Sequence, residues 1–562
     1  MKDLVRDSVV GQAINALSGG RLLSYEDQRP DFQIPSRYLH SPPLSQVSTI
    51  VCAEEKKSTS FSSRPTSIPQ DAYTPGSGTD VETLTDMVVD QTEKGGDGYL
   101  VDWDGPDDQD NPRNWSTVKK GFVSFSISLL TFSVYIGSAI FTSSFPGLMS
   151  SFGVSQTKAA LGLTLYVLAY GIGPMFLTPL QELPSLGRNP VYVTGLALFV
   201  LFNVPIVKAQ NLGTVLVFRF LTGFVGSPAL ATGGASMADM FDGPKLPYMM
   251  GIWCLGAVGG PVLGPVIGGF AAQAKDWRWP IYELMWISAF ALVFLSFLLP
   301  ETLEANILLK RARRLRKLTG NPHLRSRSEI EQAAMSKREI AYESLVRPFL
   351  LAKEPAVLFL NLYIGLVYSV FYLWFEAFPI AFNEIYHMNL GVGSLPFTAF
   401  IVSGSLAYIA YCLYLRYHFQ PRSDRNPDLV VEARLEFGLM ASIFIPVSLL
   451  VFGWTARESV HWIVPVIAAA LYLPGIFLTF QSVLVYLSVT YSKHTGSILA
   501  SNDLFRSSMA SVFPLFGVTF FRNLGLGPGS SLLAGISLLL MVIYYILIRY
   551  GHVLRARSRY AN

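Results

Sequence analysis

Charge is scarce in this chain. Asp, Glu, Lys and Arg make up 15% of its 562 residues, against about 25% in an ordinary soluble protein. Lys and Arg number 43 and Asp and Glu 39, a formal net charge of +4. That excess is too small for a protein that binds nucleic acid through charge. Cysteine is nearly absent: Cys52, Cys254 and Cys412 lie far apart, which excludes a disulfide scaffold and a cysteine-based zinc site. The seven histidines form no His-Glu-x-x-His. No Gly-x-Ser-x-Gly elbow and no Gly-x4-Gly-Lys-Ser/Thr loop is present. The sequence therefore lacks these enzyme signatures, and the missing phosphate loop argues against an ATP-driven pump within this chain. No cofactor and no metal is expected.

Long apolar runs are what the chain has instead. Hydrophobic residues reach 51% and are concentrated from Gly121 onward. Residues 1–118 alternate Ser, Pro, Gly and charges, as in 58–75, and read as a mostly disordered cytosolic tail without a secretory signal. Within it Val5, Val9, Ala13 and Leu17 recur every fourth residue beside Lys2 and Arg6. That spacing fits a short amphipathic helix on the bilayer or on the protein, or a weakly helical tail.

A bilayer core needs roughly 20 apolar residues in a helix. Twelve runs qualify, near 121–145, 159–181, 189–207, 212–238, 246–274, 279–300, 355–382, 391–415, 436–455, 460–487, 494–521 and 530–549. The fold class expected is an all-α membrane protein with twelve transmembrane helices in two six-helix bundles. Its parts are the tail 1–118, an N-terminal bundle 119–300, a basic connector 301–354, a C-terminal bundle 355–550 and a C-tail 551–562. Basic residues orient it. The connector carries Lys310, Arg311, Arg313, Arg314, Arg316 and Lys317, and the next loop on that side Arg416, Arg422, Arg425 and Arg434. The C-tail adds Arg549, Arg555, Arg557 and Arg559, while the opposite loops carry only scattered basic residues. Positive charge marks the cytosolic side, so both termini are expected in the cytosol.

Each ionisable group inside the spans costs about 3 kcal/mol or more and needs a reason. Arg219 is followed by Gly223, Gly226 and Gly233, all on one helical stripe with it. The arginine either faces a cavity and steers a nearby carboxyl, or reaches for the headgroups. In span five Gly256, Gly260, Gly264 and Gly268 repeat every fourth residue, with Pro261, Pro265 and Gly269 among them. Such a flat stripe suits close helix packing, and the two prolines suggest a bent helix where two bundles move. Glu376, late in span seven, is either a proton-carrying acid in apolar surroundings or an ordinary helix-end glutamate. Asp503 and Arg506 are three residues apart in span eleven and read as a structural pair that neutralises itself. Glu283 in span six reads as mainly structural.

Several segments resemble the major facilitator superfamily, in particular the fungal drug:proton antiporters with twelve spans (the azole and benomyl multidrug-resistance transporters). They are Arg219 to Gly226, Gly256 to Gly269, Trp103-Asp104-Gly105-Pro106-Asp107-Asp108, Pro300-Glu301-Thr302-Leu303, Glu376-Ala377-Phe378-Pro379 and Ser501 to Ser507. The loop after span two departs from the superfamily pattern, keeping only Gly187 and Arg188. Near the end of span ten, Val485, just before Tyr486, and Val489 stand where many relatives place Asn and Asp. The resemblance implies a monomeric exporter of hydrophobic or amphipathic small molecules, exchanging them for protons across the plasma membrane. Its partners would be a small-molecule substrate, protons and the lipid bilayer, and no nucleic acid. Arg219 and Glu376 would couple the proton. Phe371, Tyr372, Trp374, Phe375, Tyr472 and Gln481 lie in spans that could line the cavity. A metabolite or polyamine exporter, and a non-transporting nutrient sensor on the same fold, are the alternatives.

Overall fold

A computed structural model describes residues 2–29, 31–35, 38, 100–334, 342, 346–426, 431–491 and 495–557. The stretch 58–75, Cys52 and Arg559 lie outside the described residues. Among these residues twelve helices are long and apolar enough to cross a membrane. They run Thr117–Phe152, Gln156–Glu182, Arg188–Val207, Leu212–Met240, Gly243–Ala274 and Trp279–Leu298 in the first half. The second half has Pro355–Ile385, Val392–Arg425, Val431–Thr455, Ile463–Thr490, Ile498–Leu524 and Leu526–Arg555. Each overlaps one predicted run. The largest boundary differences are at spans one and eight, whose helices continue past the apolar stretch to Phe152 and Arg425. Backbone hydrogen bonding does not stop where hydropathy does. Spans two and four, one and five, and three and four pack in the first bundle. Spans seven and eleven, and nine and twelve, pack in the second. Spans two and eleven, and five and eight, join the bundles.

Local chemistry sets several ends. Ser116 caps span one by accepting from the Lys119 N–H at 3.3 Å, and Asn211 caps span four by accepting from Thr214 at 2.8 Å. Gly153 ends span one in the left-handed region at φ +62°.

Residues 2–29 form helices that rest on the N-terminal bundle, the helical one of the two readings of this stretch, though with a different buried face. Helices Lys2–Asp7 and Val9–Leu17 meet at Ser8, whose hydroxyl accepts from the Gly11 N–H at 3.0 Å. Their buried side is Leu4, Ser8, Gly11 and Asn15, while Leu17 of the predicted stripe is 90% exposed. The Asn15 amide donates to Leu22 O and Leu23 O at 3.1 and 3.0 Å.

This segment and residues 100–115 grip the connector helix Glu304–Thr319. Arg314 pairs with Asp27 at 2.7 Å and lies 4.0 Å over the Tyr25 ring. Arg311 pairs with Asp104 and with Asp108, the latter at 2.6 Å. Trp103 Nε1 donates to Glu304 Oε1 at 2.9 Å, and Leu100–Val101 pairs in parallel with Arg325–Ser326.

Burial pushes the Asp108 carboxyl up, but N–H bonds from Asp104 and Asp110 and the Arg311 guanidinium outweigh it and hold it below the usual carboxylate range. A lowered folded pKa stabilises the clamp above the unfolded value, near 4, and that contribution is lost as pH falls through the folded value. Arg311→Ala should therefore expose residues 100–115 to protease several-fold faster at pH 7, with the difference shrinking toward pH 3. Equal cleavage of both proteins at pH 7 would show that the clamp does not hold the segment.

Candidate functional site

An open-mouthed cavity lies between the two bundles in the half of the protein nearer the connector. Spans one, four, five, seven, ten and eleven line it. Its wall is mostly apolar, with Met250, Trp253, Ile364, Phe371, Ile476 and Phe477 among the lining residues. The polar groups are Tyr135, Tyr368, Asn502, Asp503 and Arg506. Asp503 and Arg506 hydrogen-bond to each other, as the three-residue spacing predicts.

On the side facing away from the connector, hydrogen bonds between the bundles close the cavity. Tyr170 of span two meets Tyr368 and Tyr372 of span seven, hydroxyl to hydroxyl, at 3.1 and 3.0 Å. The Tyr372 hydroxyl reaches Ser138 of span one at 3.3 Å. Thr164 donates to Ser511 O at 2.7 Å, and the Gly391 N–H donates to Gln273 Oε1 at 2.8 Å. Any movement that opens this side must break these bonds.

Arg219 is fully buried. Its Nε donates to Gly162 O at 3.1 Å and its Nη1 to Gly137 O at 2.8 Å. The guanidinium lies 4.4 Å from the Phe141 ring centre and 4.2 Å from that of Tyr166. Its Nη2 has no partner. No carboxylate forms an ion pair with it among the described residues, so a whole positive charge sits in the N-terminal bundle on carbonyls and ring faces alone. The side chain turns into the bundle and not out toward its surface.

Glu376 is 3% exposed. Gln156 Nε2 donates to its Oε2 at 3.3 Å, and its Oε1 has no partner. Arg219 and Glu376 do not touch. Span two joins them, since Gln156 meets Glu376 and Gly162 receives Arg219 about 9 Å further along the helix.

The span-five glycines have a specific neighbour. A Cβ at Gly260 would lie 2.7 Å from Ile136 N, and one at Gly264 2.7 Å from Ile140 N. Cβ atoms at Gly256 and Gly268 would also crowd span one, at Ser128 and Ile140. This stripe therefore packs on span one within the same bundle, and not across the two bundles as a sliding surface. Of the five predicted glycines Gly269 alone meets the other bundle, where a Cβ would lie 2.8 Å from Ser394 Oγ and 3.0 Å from Leu390 O. Pro265 is buried, and Pro261 lines the cavity. The helix runs unbroken through both prolines. In span four a Cβ at Gly223 would sit 2.4 Å from Tyr166 O, and one at Gly226 2.7 Å from Val134 Cγ1.

Of the six predicted cavity residues, Phe371 lines the cavity. Tyr372 belongs to the hydroxyl cluster above it. Trp374 packs on Phe452 and Tyr472 inside the C-terminal bundle, with ring centres 4.7 and 5.5 Å away. Tyr472 donates to Val367 O at 2.6 Å, and Phe375 stacks on Phe397 at 5.4 Å. Gln481 is fully buried near Gly251. Sequence reasoning missed Tyr170, Tyr368 and Ser138. The four-residue spacing of Tyr368 and Tyr372 was the available signal.

A charge latch also forms where the loop after span two looked depleted. Arg188 binds Asp239 through two nitrogens at 2.7 and 3.1 Å. Glu301 accepts from the N–H groups of Arg188 and Asn189, each at 3.1 Å. Gly187, at φ +82°, leaves room for Glu301, whose Oε2 would lie 2.4 Å from a Cβ there.

Comparison with known proteins agrees with this architecture. A sequence profile of the Major Facilitator Superfamily matches residues 127–514. The chain is 45% identical to Transporter mfs1 of Schizosaccharomyces pombe, over 82% of this chain and 88% of that protein. It is 40% identical to Fluconazole resistance protein 1 of Saccharomyces cerevisiae, over 85% and 88%. In fold it is similar to the proton:xylose symporter XylE, with a TM-score of 0.55 at 13% identity, covering 77% of this chain and 97% of that one. The extent of these matches, together with the twelve spans in two bundles, makes the chain a multi-pass membrane protein belonging to the major facilitator superfamily.

Proposed function

We propose that the chain is a proton-coupled efflux transporter of the plasma membrane, with both termini in the cytosol. It exports hydrophobic or amphipathic small molecules by rocking its two bundles around the central cavity, and it works as a monomer. One observation carries the reading: an apolar cavity between two bundles is closed on one side by breakable hydrogen bonds, beside a buried arginine with no acidic partner and a buried glutamate. That the relatives include a protein named for fluconazole resistance supports a drug-like substrate class.

In this scheme substrate enters the cavity from the cytosolic half. Opening the outer side breaks the Tyr170, Thr164 and Gln273 contacts and the Gln156–Glu376 bond. Glu376 then meets the external medium and takes a proton. The neutral acid returns with the closing bundle, and the proton is released inward. Arg219 supplies a fixed positive potential in the N-terminal bundle that opposes protonation of groups close to it and so favours proton release.

The testing experiment is a resistance panel on a strain lacking the protein, repeated with and without a protonophore. Hypersensitivity to unrelated lipophilic toxicants that the protonophore reproduces in the parent strain is expected. Unchanged sensitivity across the panel would contradict the reading. Glu376→Gln keeps an acceptor for Gln156 and should flatten the pH dependence of transport, measured as initial efflux between pH 5 and 8. An unaltered profile would remove Glu376 from the mechanism.

A further inference from the structure

Asp503 and Arg506 are the only Asp, Glu, Lys or Arg side chains among the described residues that line the cavity. They are 5% and 6% exposed. Each keeps one hydrogen-bonding atom without a partner, Oδ2 on the carboxylate and Nε on the guanidinium. Arg506 is further held over the Tyr368 ring at 4.4 Å and the Phe480 ring at 5.1 Å. Tyr135 lies beside it from the other bundle. A pair needed only to let charge enter a helix would serve equally well facing another helix. This one faces the cavity where the bundles meet.

The consequence is electrostatic. Opposite charges in hydrogen-bond contact leave the cavity with no net charge. An ion entering an apolar cavity gives up its hydration, a cost of several kcal/mol. It meets no unbalanced counter-charge here, because each member of the pair screens the other. An uncharged molecule meets no such penalty. Asp503 Oδ2 and Arg506 Nε are buried beneath the cavity surface without partners, so a molecule offering a donor beside an acceptor reaches them once the two side chains turn toward it; it then gives a hydrogen to Oδ2 and accepts one from Nε, completing two groups that are costly to leave unmade.

We propose that the Asp503–Arg506 pair sets substrate charge: the cavity takes uncharged amphipathic molecules carrying an adjacent donor and acceptor, such as an amide, carbamate or imide, and rejects permanent ions. This rests on the efflux reading above and narrows it to a substrate class. Selectivity then arises as much from what the cavity refuses as from what it holds.

The test uses the full-length protein in proteoliposomes with three probes: cycloheximide as an uncharged imide, tetraphenylphosphonium as a permanent cation, and 8-anilinonaphthalene-1-sulfonate as an anion. The wild type should move the imide at least tenfold faster than either ion. Asp503→Asn leaves a lone guanidinium and should raise the anion-to-imide rate ratio at least tenfold. Arg506→Gln leaves a lone carboxylate and should raise the cation-to-imide ratio by a similar factor. The double variant Asp503→Asn/Arg506→Gln is neutral again and should return both ratios to within a few-fold of wild type.

A loss shared equally by all three probes in both single variants would overturn the proposal and leave the pair structural. Rapid wild-type transport of either ion would overturn it as well. Should a single variant fail to fold, the exchanged pair Asp503→Arg/Arg506→Asp keeps the net charge at zero and should keep the imide preference. Its reversal or loss would count against the proposal. Binding to the detergent-solubilised protein, read by isothermal titration calorimetry, separates the two readings. Imide binding without transport would contradict efflux and uphold the charge rule, whereas transport without charge discrimination would do the reverse.

Discussion

Arg219→Ala should reach the membrane in normal amount and lose at least tenfold in drug efflux. The side chain makes two hydrogen bonds, at 3.1 Å to Gly162 O and 2.8 Å to Gly137 O. Those carbonyls belong to helices, so removing the donor leaves spans one and two intact. What disappears is a charge that the protein keeps buried without an acidic partner, at a cost of about 3 kcal/mol or more. The role proposed for it is electrostatic. Arg219→Lys should also fail, because an ammonium cannot fork to two carbonyls while lying flat on Phe141 and Tyr166. The check is efflux rate against surface abundance. Normal efflux from a well-expressed alanine variant would reject the arginine's role.

Gly264→Val should be more damaging still, abolishing transport by lowering the amount of folded protein. The Cβ would meet Ile140 N at 2.7 Å, and that atom is backbone, which cannot turn aside. Overpacking of this kind costs typically about 1–3 kcal/mol, and here the added methyl groups would push span five away from span one along a long contact. Gly259→Ala provides the control on the same helix, since its Cβ would have no neighbour nearer than Phe132 at 3.8 Å. It should stay within about twofold of wild type. Thermal unfolding and transport measured together decide the matter. A Gly264→Val protein as stable and active as Gly259→Ala would show that the contact with span one is dispensable.

The spans were legible because a run of about 20 apolar residues is a local property, read without knowing the partners. The pairing of Asp503 with Arg506 was legible for the same reason, being set by helix geometry. Which way that pair faces was not, because it depends on how span eleven is rotated between two bundles. The six aromatic and amide candidates show the same limit. Trp374 and Phe371 are three residues apart on one helix, yet one faces into the C-terminal bundle and the other into the cavity. The grip on the connector was invisible for a different reason. Arg314–Asp27 and Arg311–Asp108 join residues 287 and 203 positions apart. A stretch of separated charges in a polar tail carries no sign of which opposite charge will meet it.

The most direct test of the account is substrate uptake into inside-out vesicles holding the full-length protein, under an imposed pH gradient. In such vesicles the interior stands for the cell exterior. An acidic interior should drive uptake above the equilibrium level, and a protonophore should collapse it. Uptake that is the same with the gradient present, absent or reversed would contradict proton-coupled export.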